Sequence, residues 1–137
     1  MKVFLDANIL VTVLNKEYPL FSSAARILSL ADNNRFRLYT SPLCLAIAFY
    51  FAGKKSGIDR AKQKIALLAS RIHISKAEAS TVERTIANKQ INDFEDGLEY
   101  YSALDAGCNV IITEDTGDFY FSEIEVIDSN GFLSKFF

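Results

Sequence analysis

The segment Asn92–Phe119, NDFEDGLEYYSALDAGCNVIITEDTGDF, decides the fold. Asn92 has the form of a helix N-cap, and Asp93, Glu95 and Asp96 place acid in the first turn, where the positive end of the helix dipole receives it. Gly107 is positioned to end this helix, predicted over Asp93–Ala106. Val110–Ile112 is then a short apolar run suited to a buried strand, and an acidic turn follows it. A helix that feeds a parallel strand runs antiparallel to it. The helix start, with Asp93 and Asp96, and the strand end, with Asp115 and Asp118, therefore fall at one edge of a sheet.

Working outward, Lys2–Leu5 reads as a buried first strand ending at Asp6, with a helical segment over Asn8–Asn15. Phe21, Ala24, Ala25, Ile27, Leu28 and Ala31 recur at helical spacing until Asn33 and Asn34 end the pattern. Arg35–Tyr39 alternates as a second strand. Ser41-Pro42 opens a very apolar helix that runs through Phe51 and is expected to stop at Gly53. A helix over Ile58–Ser70 carries Arg60, Lys62 and Lys64, which read as a solvated face. Arg71–Ile74 is a third strand, and the Ser75…Glu78 spacing predicts a capping box opening a helix over Lys76–Asn88. Glu125–Ile127 is a fifth strand. Strands alternating with helices predict an α/β fold, a three-layer α/β/α sandwich around a central parallel sheet of about five strands.

At 137 residues, half of them hydrophobic, the chain is expected to form one domain over 1–137. Fifteen Lys and Arg against seventeen Asp and Glu give a formal charge of −2, so no overall positive field draws nucleic acid to the surface. Any such contact must be local. Cys44 and Cys108 lack a C-x-x-C partner and sit among apolar or small residues, as buried free thiols do. That suits a reducing cytoplasm. His73, the only histidine, reads as a strand-edge surface residue, which leaves serine–histidine and cysteine–histidine hydrolysis without support. The opening segment reads poorly as a signal peptide, and no apolar stretch is long enough to cross a bilayer.

In an open parallel sheet, ligands bind beyond the carboxyl ends of the strands where strand order reverses. Asp6 stands at such an end, so three distant segments bring Asp6, Asp93, Asp96, Asp115 and Asp118 to one edge. Grouped carboxylates repel one another unless a divalent cation or a proton offsets the charge. On the helical wheel Phe94, Leu98, Tyr101 and Leu104 form an apolar arc bordered by Asp93 and Asp96. Glu95 and Glu99 point away from it and read as a solvated face. Taken singly, Asp93 also suits a helix start, Asp115 and Asp118 a turn with Gly117, and Asp6 an Asx turn.

At these residues the chain resembles the PIN-domain family, nucleases of which many are toxins of bacterial toxin–antitoxin pairs. The resemblance spans nearly the whole chain. It rests on Phe4-Leu5-Asp6-Ala7-Asn8 for the opening strand and D-x-N, Asp93-Phe94-Glu95-Asp96 for the acidic helix start, and Thr113-Glu114-Asp115-Thr116-Gly117-Asp118-Phe119 for the late T-x-[DN]-x-x-D-F. It implies a Mg or Mn site with Asp6, Asp96 and Asp118 as ligand or water-activating carboxylates and Asp93 and Asp115 as further ligands. Asn8 and Thr113 would orient ligands or water from behind. Two departures stand out. The acidic residue that relatives commonly carry in the helix after the second strand is replaced by Ala46 or Ile47, and the usual basic residue after the threonine by Glu114.

The resemblance implies a metal-dependent ribonuclease acting on RNA, the toxin of a pair held by an antitoxin protein. The missing helix carboxylate favours an alternative, a catalytically degraded PIN-like protein acting as a protein- or nucleic-acid-binding module. A phosphotransfer receiver is disfavoured because Ser75 and Lys76 follow the third strand, and a haloacid-type phosphatase because Asn8 stands two positions after Asp6. The apolar C-terminal stretch, Phe132-Leu133-Ser134-Lys135-Phe136-Phe137, suggests surface for a homodimer or an antitoxin contact.

Overall fold

Five short strands alternate with seven helices in the computed structural model, which describes residues 1–137. In chain order these are β1 (Lys2–Leu5), α1 (Ala7–Leu14), α2 (Phe21–Ser29), β2 (Arg37–Thr40), α3 (Pro42–Ser56), α4 (Ile58–Arg71) and β3 (His73–Ile74). They are followed by α5 (Ala79–Ala87), α6 (Phe94–Asp105), β4 (Val110–Ile112), β5 (Glu125–Ile127) and α7 (Ser129–Phe136). Single 3-10 turns occupy Leu30–Asp32 and Thr116–Phe119. The sheet is wholly parallel in the order β3-β2-β1-β4-β5, and helices complete a three-layer α/β/α sandwich. Strands covered on both faces read as unbroken apolar runs. Val3, Phe4 and Leu5 in β1 and Ile111 and Ile112 in β4 have no exposed surface, and each such side chain contributes roughly 2 kcal/mol of burial.

The chain fills β1, β2 and β3 toward one edge, then returns to place β4 on the other side of β1. Strand order therefore reverses between β1 and β4. Phe4 is paired with Ile111 and Leu5 with Ile112, and the Asp6 amide donates to the Ile112 carbonyl at 3.0 Å. Asp6 and Thr113 thus emerge side by side at the carboxyl end of the sheet.

Three helix expectations shift. The apolar helix passes Gly53 and ends at Ser56, where Gly57 takes a positive φ of 86°. One interior glycine costs only ~1 kcal/mol, and buried Ala52 and Ala61 hold α3 against α4 across that point. The box predicted from Ser75 forms one turn later, with Glu78 and Thr81 as its partners. Ser75 instead extends the sheet: its amide donates to the Thr40 carbonyl at 2.8 Å and its hydroxyl meets that of Ser102 at 2.5 Å. Asp93, not Asn92, caps α6, its Oδ1 accepting from the Asp96 amide at 3.2 Å.

The α6 face differs from the predicted arc, and this matters for the site. Phe94 is exposed and Leu98, Tyr101 and Leu104 are half-buried, while Gly97, Glu99, Tyr100, Ser102 and Ala103 are buried. Close packing admits the small residues Gly97, Ser102 and Ala103 beside Glu99 and Tyr100. A β-carbon on Gly97 would stand 2.4 Å from Thr85 Cγ2 and 2.9 Å from Ile91 Cγ2. Much of the C-terminal aromatic cluster is also core: Phe132 is fully buried and packs with Phe36 and Phe136, leaving Phe137 exposed. Cys44 and Cys108 are buried free thiols, and His73 lies exposed on the edge strand, stacked on Tyr39.

Candidate metal centre

A cleft of about 440 Å³ opens over the junction of β1 and β4. All five sequence-predicted aspartates line it: Asp6, Asp93, Asp96, Asp115 and Asp118. Glu17, Glu95 and Glu99 add three more carboxylates, and no basic side chain lines the cleft. Asp6 is buried at its base, Asp96 is half-buried, and Asp93, Asp115 and Asp118 are exposed at its mouth.

Asp6 is held on both oxygens. Its Oδ1 accepts from the Ala7 amide at 2.6 Å, capping α1, and its Oδ2 accepts from the Thr113 hydroxyl at 2.7 Å. The Asx-type reading and a ligand role are therefore compatible, since each carboxylate oxygen keeps a free lone pair. Thr113 is itself fixed by Asn8 Nδ2 at 3.0 Å and accepts from the Asp115 amide at 3.1 Å. Asn8 Nδ2 also reaches Asp115 at 3.3 Å, and its Oδ1 accepts from the Glu114 amide at 3.2 Å. Asn8 and Thr113 so lock the loop after β4 onto the loop after β1. Glu114 serves the scaffold: its Oε1 accepts from the Ser129 amide at the start of α7.

Without counter-charges the acids resist ionising together. Burial first, then Asp93, Asp118 and Asp6, raise Asp96 from 3.8 to about 7. Desolvation and then Asp115 and Asp6 raise Asp118, and desolvation followed by Asp93 raises Glu95. Packed carboxylates without a basic partner fit a divalent cation, which prefers oxygen donors and neutralises several at once. Asp6, Asp96 and Asp118 are the residues that would hold it, with Asp93 and Asp115 at the rim.

The reading of Glu99 as a solvated residue is overturned. The side chain is 2 % exposed and faces the base of the cleft, and its Oε2 has no hydrogen-bond partner. Burial and then the Asp6 carboxylate push it up to about 11, so in the cation-free protein it is protonated at neutral pH. Ile47 does line the cleft with an apolar side chain, as its sequence position suggested, while Ala46 is exposed. Glu99, from α6, is the carboxyl group that stands at the cleft base beside Asp6. Its i+3 spacing from Asp96 was the available signal, and the expected arc misdirected it.

An open parallel α/β domain with an acidic cleft at its switch point is a scaffold that binds its ligand beyond the carboxyl ends of the strands. The chain belongs to the PIN-domain family, whose model matches residues 2–117. Ribonuclease VapC1 of Aquifex aeolicus (strain VF5) is 28% identical over 138 residues, covering 98% of this chain and 94% of that protein. Among solved structures, VapBC2 from Rickettsia felis, bound to a DNA fragment from its promoter, matches with a TM-score of 0.70 at 22% identity. The match covers 93% of this chain and 98% of the other. VapC20 of Mycobacterium tuberculosis, described as a sarcin-ricin loop cleaving toxin, matches with a TM-score of 0.64 at 14% identity, covering 80% and 86%. At these identities the two structures show the shared fold.

Proposed function

We propose that the chain is a Mg- or Mn-dependent endoribonuclease, the toxin of a toxin–antitoxin pair. One observation carries the reading: eight carboxylates line one cleft with no basic side chain among them. The full-length similarity to a ribonuclease and the sarcin-ricin activity of VapC20 support RNA as substrate. Bound in the cleft, a divalent cation supplies charge neutralisation at the phosphodiester and lowers the pKa of an attacking water. The chain's own residues do the rest. Asp6, fixed by Thr113 and Ala7, gives an oriented oxygen at the base, and Asp96 and Asp118 line the same cleft. Asn8 and Thr113 hold the two loops in register, so that these oxygens keep their spacing when the substrate enters.

The test is cleavage of a mixed RNA pool with Mg or Mn, comparing the wild type with Asp118→Asn. Asp118 is exposed, so the variant is expected to fold normally and to lose activity by at least ~10²-fold. Wild-type protein that neither cleaves RNA nor binds either cation by titration refutes the reading. The same reading gives the chain an antitoxin partner, a second copy of itself as partner, and the cytoplasm as its setting. It is supported by the likeness to VapBC2 and by exposed apolar side chains such as Ile58, Leu67 and Ile86. No helix is long and apolar enough to cross a membrane. Light scattering tests the dimer, and a monomer at high concentration overturns it.

A further inference from the structure

Behind the mouth of the cleft lies a second donor set of different chemistry. One ligating atom each from Asp6, Cys44 and Glu99 lie within 4.8 Å of one another, and all three residues are buried. Cys44 is fully buried on α3, one turn before Ile47. The hydroxyl of Ser41, which caps that helix, accepts from the Cys44 amide at 3.1 Å. The Sγ position is thus set by a capped first helical turn. The independent sign of a ligand is Glu99, almost wholly buried with Oε2 unpartnered. Buried carboxyl oxygens are seldom left without a partner, and a bound ion is one of the few features that leave one so.

We propose that Asp6, Cys44 and Glu99 form an inner site for a thiophilic divalent cation, zinc being the physiological choice, distinct from the hard-cation site that Asp6, Asp96 and Asp118 would form. Magnesium and manganese prefer oxygen, whereas zinc accepts thiolate and carboxylate together. A tetrahedral zinc with bonds of roughly 2.0–2.3 Å spans ligands roughly 3.3–3.8 Å apart, so small side-chain adjustments close the trio. Binding expels two protons to solvent, one from the Cys44 thiol and one from the Glu99 carboxyl group, and gives Glu99 Oε2 its missing partner. The site shares Asp6 with the magnesium site proposed above, so zinc and magnesium compete for that carboxylate. The inner site itself requires no RNA hydrolysis.

The test is zinc titration of the full-length protein by calorimetry, with X-ray absorption at the zinc edge. The wild type and Cys108→Ser are expected to bind one zinc with a sulfur shell at roughly 2.3 Å. Cys44→Ser should lose that shell and bind at least tenfold more weakly, while melting normally and keeping its magnesium affinity. The double variant Asp96→Asn/Asp118→Asn should lose magnesium binding yet keep the sulfur-ligated zinc. A wild-type spectrum with oxygen and nitrogen neighbours only, no bound zinc, or equal zinc affinity in Cys44→Ser overturns the proposal. If Cys44→Ser fails to fold, the wild-type and Cys108→Ser spectra decide it. Zinc bound through sulfur by a protein that cleaves no RNA leaves this inference standing and sinks the nuclease reading.

Discussion

Replacing Asp96 by asparagine exchanges a crowded carboxylate for a neutral amide of the same shape, and the cation-free protein should become more stable. Burial, followed by the Asp93, Asp118 and Asp6 charges, raises Asp96 from 3.8 to about 7. Between those values the folded chain binds a proton that the unfolded chain has released, so stability falls as pH rises through this window. About three pKa units correspond to ~4 kcal/mol. Asp96 is half-exposed; solvent, salt and the helix dipole, which favours acid in this turn, reduce the figure to about 1 kcal/mol. Asp96→Asn should therefore melt roughly 3 °C above the wild type at pH 8 in a chelator, with about a third of that advantage left at pH 5. Magnesium should reverse the order, because a cation at ~100 times its Kd stabilises the wild type by ~2.7 kcal/mol and the variant has lost a ligand. Thermal melts with chelator and with magnesium read both effects. A variant that melts at or below the wild type in chelator at pH 8, or equal gains from magnesium in both proteins, refutes the reasoning.

Thr113→Val removes the hydroxyl that donates to Asp6 and accepts from Asn8 and Asp115. It should cost about 1–3 kcal/mol in denaturant unfolding and lower the turnover of RNA, while Thr113→Ser restores both. Gly97→Ala drives a methyl against Thr85 and Ile91 at 2.4 and 2.9 Å. A loss of about 1–3 kcal/mol is expected in the same measurement, and a neutral result would mean that α5 and α6 separate freely. Ile47→Glu returns a carboxylate to the cleft wall and should tighten manganese binding by calorimetry; weaker binding would place that side chain outside the cation's reach.

The comparison of Asp6 with Glu99 shows how far the sequence reaches. Asp6, Asp93, Asp96, Asp115 and Asp118 stand beside caps, turns and strand ends, features set by a few neighbouring residues, and α/β topology carries these to one edge. Their convergence was therefore legible, as were the parallel sheet and the buried thiols; Asn8 and Thr113 came only through the family resemblance, and their bracing of the two loops is a finding of the structure. The glutamate was misplaced because helical periodicity reports which residues share a face, whereas the rotation of that face is settled by whatever packs on it.

Local chemistry in the chain determined the strands, most helix starts and the identity of the cleft's aspartates, since capping, turn formation and apolar runs act over short separations. Tertiary packing alone decided that α6 turns Gly97 toward Thr85 and Ile91, which swings Glu99 inward to meet Asp6 and Cys44. The meeting of Glu99 with Asp6 and Cys44 joins residues dozens of positions apart, and steric fit between helices, which no local pattern encodes, selects it.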